Sequence, residues 1–401
     1  MMRTLGGVVA VAALTIGCAR VERDRATLQI PGRTNAHVSL ASEGARVAAV
    51  WAVSGSGGAD IYFASSVDRG RDFGSPVRVN DVAGEASVSG EQPPRVVVRG
   101  STVNVLWVAK VGSVSAIRTA TSNDAGATFT AARTITPAGI NGARGWESAA
   151  VADDGAVHVA WLDGRSAAAQ GGHHHHDSSP RQDVFHAMLT GLNATSESRV
   201  AANVCFCCKT AIATHANAVY VAWRHLFDGS IRDIAVASSA DGGRTFGQPV
   251  RVSDDNWKLD ACPDDGPAMA FDTRGMLHVV WPTLVRDPDK QRMAIFHASS
   301  RDGGATFSPR ERVDGERRTN PSHPRIAAGA DGGVVIVWDE MADSSRHVMG
   351  RLWGATPGQV QVLDRGTASS YPFVVATDAE YLAAWTEQDT SGSRIIVGRI
   401  F

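Results

Sequence analysis

Sulfur and imidazole groups carry the densest chemistry in this sequence. Cys205-Phe206-Cys207-Cys208 packs three thiols into four residues, and Cys262 follows later in the chain. Three chemistries fit that set. The thiols can pair as disulfides, for example Cys208 with Cys262, fastening neighbouring parts of the chain. They can hold a soft metal ion as thiolates, zinc or copper by ligand type. They can also form a redox-active pair. No second cysteine pair follows at a zinc-ribbon spacing, so the run matches no standard zinc motif. His173, His174, His175 and His176, followed by Asp177, form a second set of ligands as neutral imidazoles. The plain alternative for that run is an exposed His-rich loop. His225 is one more imidazole within the same span of sequence.

Whether these groups meet depends on the elements that carry them. The stretch Ser300 to Phe307 reads S-x-D-x-G-x-x-F, and the same spelling recurs at Ser66 to Phe73, Ser122 to Phe129 and Ser239 to Phe246. Such a pattern suits a tight turn between strands: glycine takes a positive φ, Ser and Asp cap backbone N–H groups, and Phe fills the space beneath. A second signal has the same period. Strands ending in Trp51, Trp107, Trp161, Trp223, Trp281, Trp338 and Trp385 are 56, 54, 62, 58, 57 and 47 residues apart. That interval holds four short strands, the unit of a β-propeller blade. Seven units are counted, with six as the alternative. Units three and six lack the turn motif, having Leu189 to Asn193 and Trp353 to Pro357 in its place. The seventh ends after three strands, and Thr27 to Ile30 is expected to supply the fourth, closing the ring and removing its open edges. The seven Trp side chains read as packing between sheets.

The eight-residue motif resembles the Asp box, or BNR repeat, of sialidase-like β-propellers. The resemblance implies an all-β propeller over residues 27–401, with the boxes on the face away from the ligand site. On the opposite face lie the entries to the first strands and the exits of the second. Those positions carry His37, Gln92, Trp146, Glu147, the cysteines, Asp264, Asp265, His323 and Tyr371, then Asp163, Arg165, Arg224, His225, Asp339, Glu340 and Glu387. Sialidases use a Tyr nucleophile paired with Glu, an Asp acid/base and three Arg that hold the substrate carboxylate. Carried over, the resemblance implies Tyr371 with Glu387, or with Glu147 or Glu340, Asp163 as acid/base, and Arg165, Arg224 and Arg325 as the clamp. Two departures stand out: sialidases have six blades, and their early Arg-Ile-Pro motif appears here as Gln29-Ile30-Pro31.

The chain has 401 residues, 41 of them Gly, and a formal net charge of -2. Near balance of charge argues against a nucleic-acid partner. Residues 1–18 read as an export leader: Arg3, an apolar run from Leu5 to Ile16, then Gly17-Cys18. The run suits a signal segment and is short for a membrane-spanning helix. Thr15 to Cys18 resembles a bacterial lipobox, making Cys18 a lipidation site and a lipid anchor the only expected membrane contact. Residues 19–26 read as a tether. The functional expectation is an exported, sialidase-like propeller that takes a glycan or small ligand at its central mouth, as an exo-acting glycoside hydrolase in its strictest form. A periplasmic copper or zinc protein built on the Cys/His set, and a scaffold for protein partners, are the alternatives.

Overall fold

The second strand of each repeat is mainly apolar on both faces, as a sheet buried between two others requires, with Asn104, His158 and His278 among the buried polar exceptions. In the first repeat every residue from Val47 to Val53 is buried. The computed structural model describes residues 25–111, 114–136, 140–166, 182–190, 193–194, 197–259, 263–287, 290–315, 319–342, 344–365 and 368–401. Its strands form seven antiparallel sheets, the blades of a propeller, six of four strands each and the third with a fifth. Blade 1 is built from Thr34–Glu43, Arg46–Gly55, Gly58–Ser66 and Val77–Arg78. Blade 7 takes Ser369–Ala376, Tyr381–Asp389 and Gly392–Ile400, and its outermost strand is Arg25–Leu28. That last strand pairs antiparallel with the C-terminal one, Leu28 opposite Ile395. The ring is therefore closed by the two ends of the chain, two residues earlier than the sequence placed the strand.

All seven repeated Trp side chains are fully buried, which bears out their reading as packing. Each Asp box is a capped turn. The Ser hydroxyl donates to the Asp carboxylate two residues on, and it accepts the Gly N–H four residues on, at 2.9 Å in the first box and 2.8 Å in the other three. A positive φ at Gly126 (95°) explains the glycine there, and a Cβ would lie 1.9 Å from the Phe63 ring of the preceding blade. The box thus fits one blade against the next. Ser300→Ala leaves the buried Gly304 N–H without its acceptor and is expected to lower stability by about 1–3 kcal/mol, read as a lower urea midpoint at unchanged slope.

Strand register fixes the two faces. In blade 1, Thr34 lies opposite Ser54 while Val47 lies opposite Ser66. Entries to first strands and exits of second strands therefore share one face, and the Asp boxes occupy the other.

Candidate functional site at the central mouth

A repeated irregularity aims side chains into the mouth. The first strands of blades 1, 3, 6 and 7 slip register between Ala36 and Ser39, Gly145 and Ser148, Ser322 and Arg325, and Ser370 and Phe373. Within these bulges His37, Trp146, His323 and Tyr371 each take a positive φ, between 52° and 61°. A bulge inserts one residue and turns it off the sheet. Four bulky rings thereby leave their blades at equivalent points around the axis.

Trp146, His323 and Tyr371 line a cavity of ≈ 400 Å³ with Ser89, Gly90, Glu91, Asp264 and Asp265. His323 is the hub. Its Nδ1 donates to Asp339 at 2.8 Å, its Nε2 lies 2.7 Å from Glu91, and its backbone N–H donates to Asp265 at 2.6 Å. Burial opposes charge on this ring, but Asp339 and Glu91 outweigh it and raise the imidazole to about 9. The Tyr371 ring stacks on His323 with centroids 4.1 Å apart, and its backbone N–H donates to Asp339 at 2.6 Å. Burial, then Glu91 and Asp339, raise the Tyr371 phenol, so it stays protonated. Lys209 pairs with Asp265 and lies 3.5 Å from Glu91, while Arg346 pairs with Asp339. Below the mouth, Arg95, Arg325, Ser39, Ser148 and Phe373 line a narrower channel of ≈ 140 Å³.

Residue Cys208 adjoins Lys209, so the thiols lie beside this network. Ser198–Val204 pairs with the third strand of blade 3, and Val204 then bridges to His225 of blade 4. That hand-over carries Cys205, Cys207 and Cys208 to a buried cluster packed against Trp146 and Phe206. Cys207 is disulfide-bonded, whereas Cys205 and Cys208 are free thiols with Sγ atoms 3.6 Å apart. The pairing suggested for Cys208 is therefore corrected: Cys207 is the residue in the disulfide. Cys205 and Cys208 also stand three residues apart, a C-x-x-C spacing hidden by reading the run as one block. Arg232 donates to the Cys205 Sγ at 3.1 Å. The hydrogen bond from Cys208, then Arg232 and Arg224 against burial, hold the Cys205 thiol down to about 6.

The other expected residues are placed as follows. Asp163 is buried and accepts from Arg144, Trp161 and Arg165, binding the entry of blade 3 to its exit. Arg165 spans Asp163 and Glu197 and lies 4.0 Å over the Phe185 ring. Arg224 is buried, donating to the carbonyls of Asp265, Arg232 and Pro282. Arg325 lines the channel, and burial, then the charge of Arg95, lowers it to about 9. The three arginines thus serve different partners. Glu387 accepts from Arg394 at 2.6 Å, and Asp339 reaches Tyr371 in its stead. Glu147 is fully buried, with no hydrogen-bond partner for either carboxylate oxygen among the described residues, and burial lifts it to about 7. His225 accepts from the Trp223 indole at 3.1 Å and packs on Phe227. Cys18, Cys262 and His173 to His176 lie outside the described residues. Sequence reading placed His323 and Asp339 on the rim but passed over Glu91. The signal for His323 was available, because Ser322-His323-Pro324 and Ser370-Tyr371-Pro372 are the same local pattern in adjacent blades.

No protein-family model matches the sequence, and no curated protein does. Solved structures match along nearly the whole chain. An ulvan lyase of a new polysaccharide lyase family aligns with TM-score 0.59 at 10% identity, over 91% of this chain and 94% of that one. A protein of unknown function from Dyadobacter fermentans aligns with TM-score 0.52 at 12% identity, over 94% and 98%. A variant of NanB sialidase from Streptococcus pneumoniae aligns with TM-score 0.51 at 11% identity, over 88% and 83%. Together with the four capped boxes and the closed ring, these likenesses show that the chain has the fold of the sialidase-like Asp-box β-propellers, in seven blades.

Proposed function

We propose that this propeller recognises a glycan at its central mouth. The observation that carries the reading is the ≈ 400 Å³ cavity in which the rings of Trp146, His323 and Tyr371 face the carboxylates of Glu91, Asp264 and Asp265. Sugars present apolar C–H faces that stack on aromatic rings and hydroxyls that donate to carboxylates, so this mixture suits them. Glu91, Asp265 and Asp339 are paired with His323, Lys209 and Arg346, and the charges of Arg325 and Arg95 also reach Glu91. Asp264 is raised by burial first, then by Glu91 and Asp265.

The ulvan lyase has also been solved bound to -[GlcA(1-4)Rha3S]-. That ligand is a precedent for a glycan on the fold and no measure of this chain's specificity. Sialoside hydrolysis is the stricter form of the proposal and needs the arginines to regroup from their present partners. For any hydrolysis, Asp264 is a cavity carboxyl with an acid's raised pKa, and the protonated Tyr371 phenol lines the same cavity. An exported, lipid-anchored location belongs to the same reading, on the strength of the leader-like residues 1–18, and radiolabelled palmitate on wild type but not Cys18→Ser checks it. The recognition claim is tested on a glycan array. Retention of one or more saccharides, lost on Tyr371→Ala with an unchanged melting curve, is expected. Absence of binding across neutral and acidic glycans contradicts it.

A further inference from the structure

The free thiols beside the mouth have no part in glycan recognition, and their surroundings are specific enough to assign. We propose that Cys205 and Cys208 form a two-thiolate site for a soft monovalent metal ion, the cuprous ion being its natural probe. Both thiols are free, both are at least 98% buried, and their sulfurs are 3.6 Å apart. Metal–sulfur bonds of about 2.3 Å reach an ion seated between sulfurs at that separation.

The donor set selects the ion. The metal-competent group at this place contains only Cys205, Cys207 and Cys208 among the described residues, and Cys207 is already in a disulfide. Two thiolates fall short of the four ligands a structural zinc takes, but thiolates favour cuprous copper, which accepts low coordination. Charge agrees. Both sulfurs bind as thiolates, any remaining thiol proton leaving to solvent, and the thiolate–metal–thiolate unit carries one negative charge. The Arg232 guanidinium, 3.1 Å from the Cys205 sulfur, is placed to meet that charge. Arg232 is itself fixed by donating to the Leu259 carbonyl at 2.6 Å, the kind of outer support that orients a metal ligand. Trp146 and Phe206 cover the sulfurs, and Trp146 also walls the mouth cavity, which provides the entry path.

The test uses the full chain, purified anaerobically with ascorbate and titrated against the cuprous bicinchoninate complex. The variant carrying His173→Ala, His174→Ala, His175→Ala and His176→Ala removes the histidine run as a competing ligand source. It is expected to withdraw one cuprous ion per chain. Cys205→Ser or Cys208→Ser in that background should weaken uptake by about tenfold or more. X-ray absorption on the loaded four-alanine protein, which needs no cysteine variant to fold, should fit two sulfur ligands. No withdrawal, uptake indifferent to both cysteine substitutions, or ligation by nitrogen and oxygen alone would each overturn the proposal. So would mass-spectrometric detection of a Cys205–Cys208 disulfide in the chain as isolated.

Discussion

His323→Gln is expected to lower stability at pH 6 by roughly 3 kcal/mol, and the deficit should fade as pH rises. The imidazolium is held between Asp339 and Glu91, with Asp265 on its backbone N–H. Its pKa is raised from 6.5 to about 9. A group whose pKa is higher folded than unfolded contributes stability in full below the unfolded value. That contribution declines above pH 6.5 and is gone once pH passes about 9. A shift of that size corresponds to roughly 3 kcal/mol. The buried Glu147, lifted to about 7, also destabilises the fold as pH climbs from its ordinary value. It does so equally in both proteins, so the difference between wild type and variant isolates His323. Urea midpoints at pH 6 and pH 9.5 check this. A deficit that stays constant across the range would mean that His323 is neutral in the fold.

Gly90→Ala is expected to abolish most glycan affinity while removing no polar group from the mouth. A Cβ at this buried glycine would lie 2.1 Å from the Tyr371 ring, far inside van der Waals contact. The ring must move, and its 4.1 Å stack on His323 goes with it. Loss of one stacked ring and its phenol is expected to weaken binding by about tenfold or more. Tyr371→Phe keeps the stack and loses only the hydroxyl, so its effect should be several-fold, about 1 kcal/mol. The order Gly90→Ala worse than Tyr371→Phe, measured by calorimetry on whichever saccharide the array yields, separates ring placement from hydroxyl chemistry. The reverse order would locate the ligand away from the ring face.

The fold was legible because each box residue has a local task. Ser and Asp cap a turn, Gly accepts a positive φ against a neighbouring ring, and Phe packs beneath, so the motif survives repetition as spelling. The mouth was legible as a set of positions, since strand alternation says which loops share a face. Its internal pairing was not. His323, Glu91, Asp339 and Tyr371 come from blades 6, 2, 6 and 7, and only the closure of the ring decides that they meet. The arginines show the same limit. Arg165 and Arg224 stand at rim positions, yet Arg165 is taken up by Asp163 beside its own strand end, and Arg224 by the Arg232 carbonyl and by the Asp265 carbonyl of the next blade. The Cys208 pairing misled for a related reason. Spacing shows that thiols are close, while the backbone path through Val204 decides which sulfur turns toward which.

Location of the bound sugar bears most directly on the account. A crystal of the full chain soaked with a saccharide retained on the array should show it in the mouth cavity, its ring stacked on Tyr371 or Trp146 and its hydroxyls on Glu91, Asp264 or Asp265. A saccharide seated instead on the Asp-box face or the outer edges of the blades, with the mouth filled by water, would contradict it.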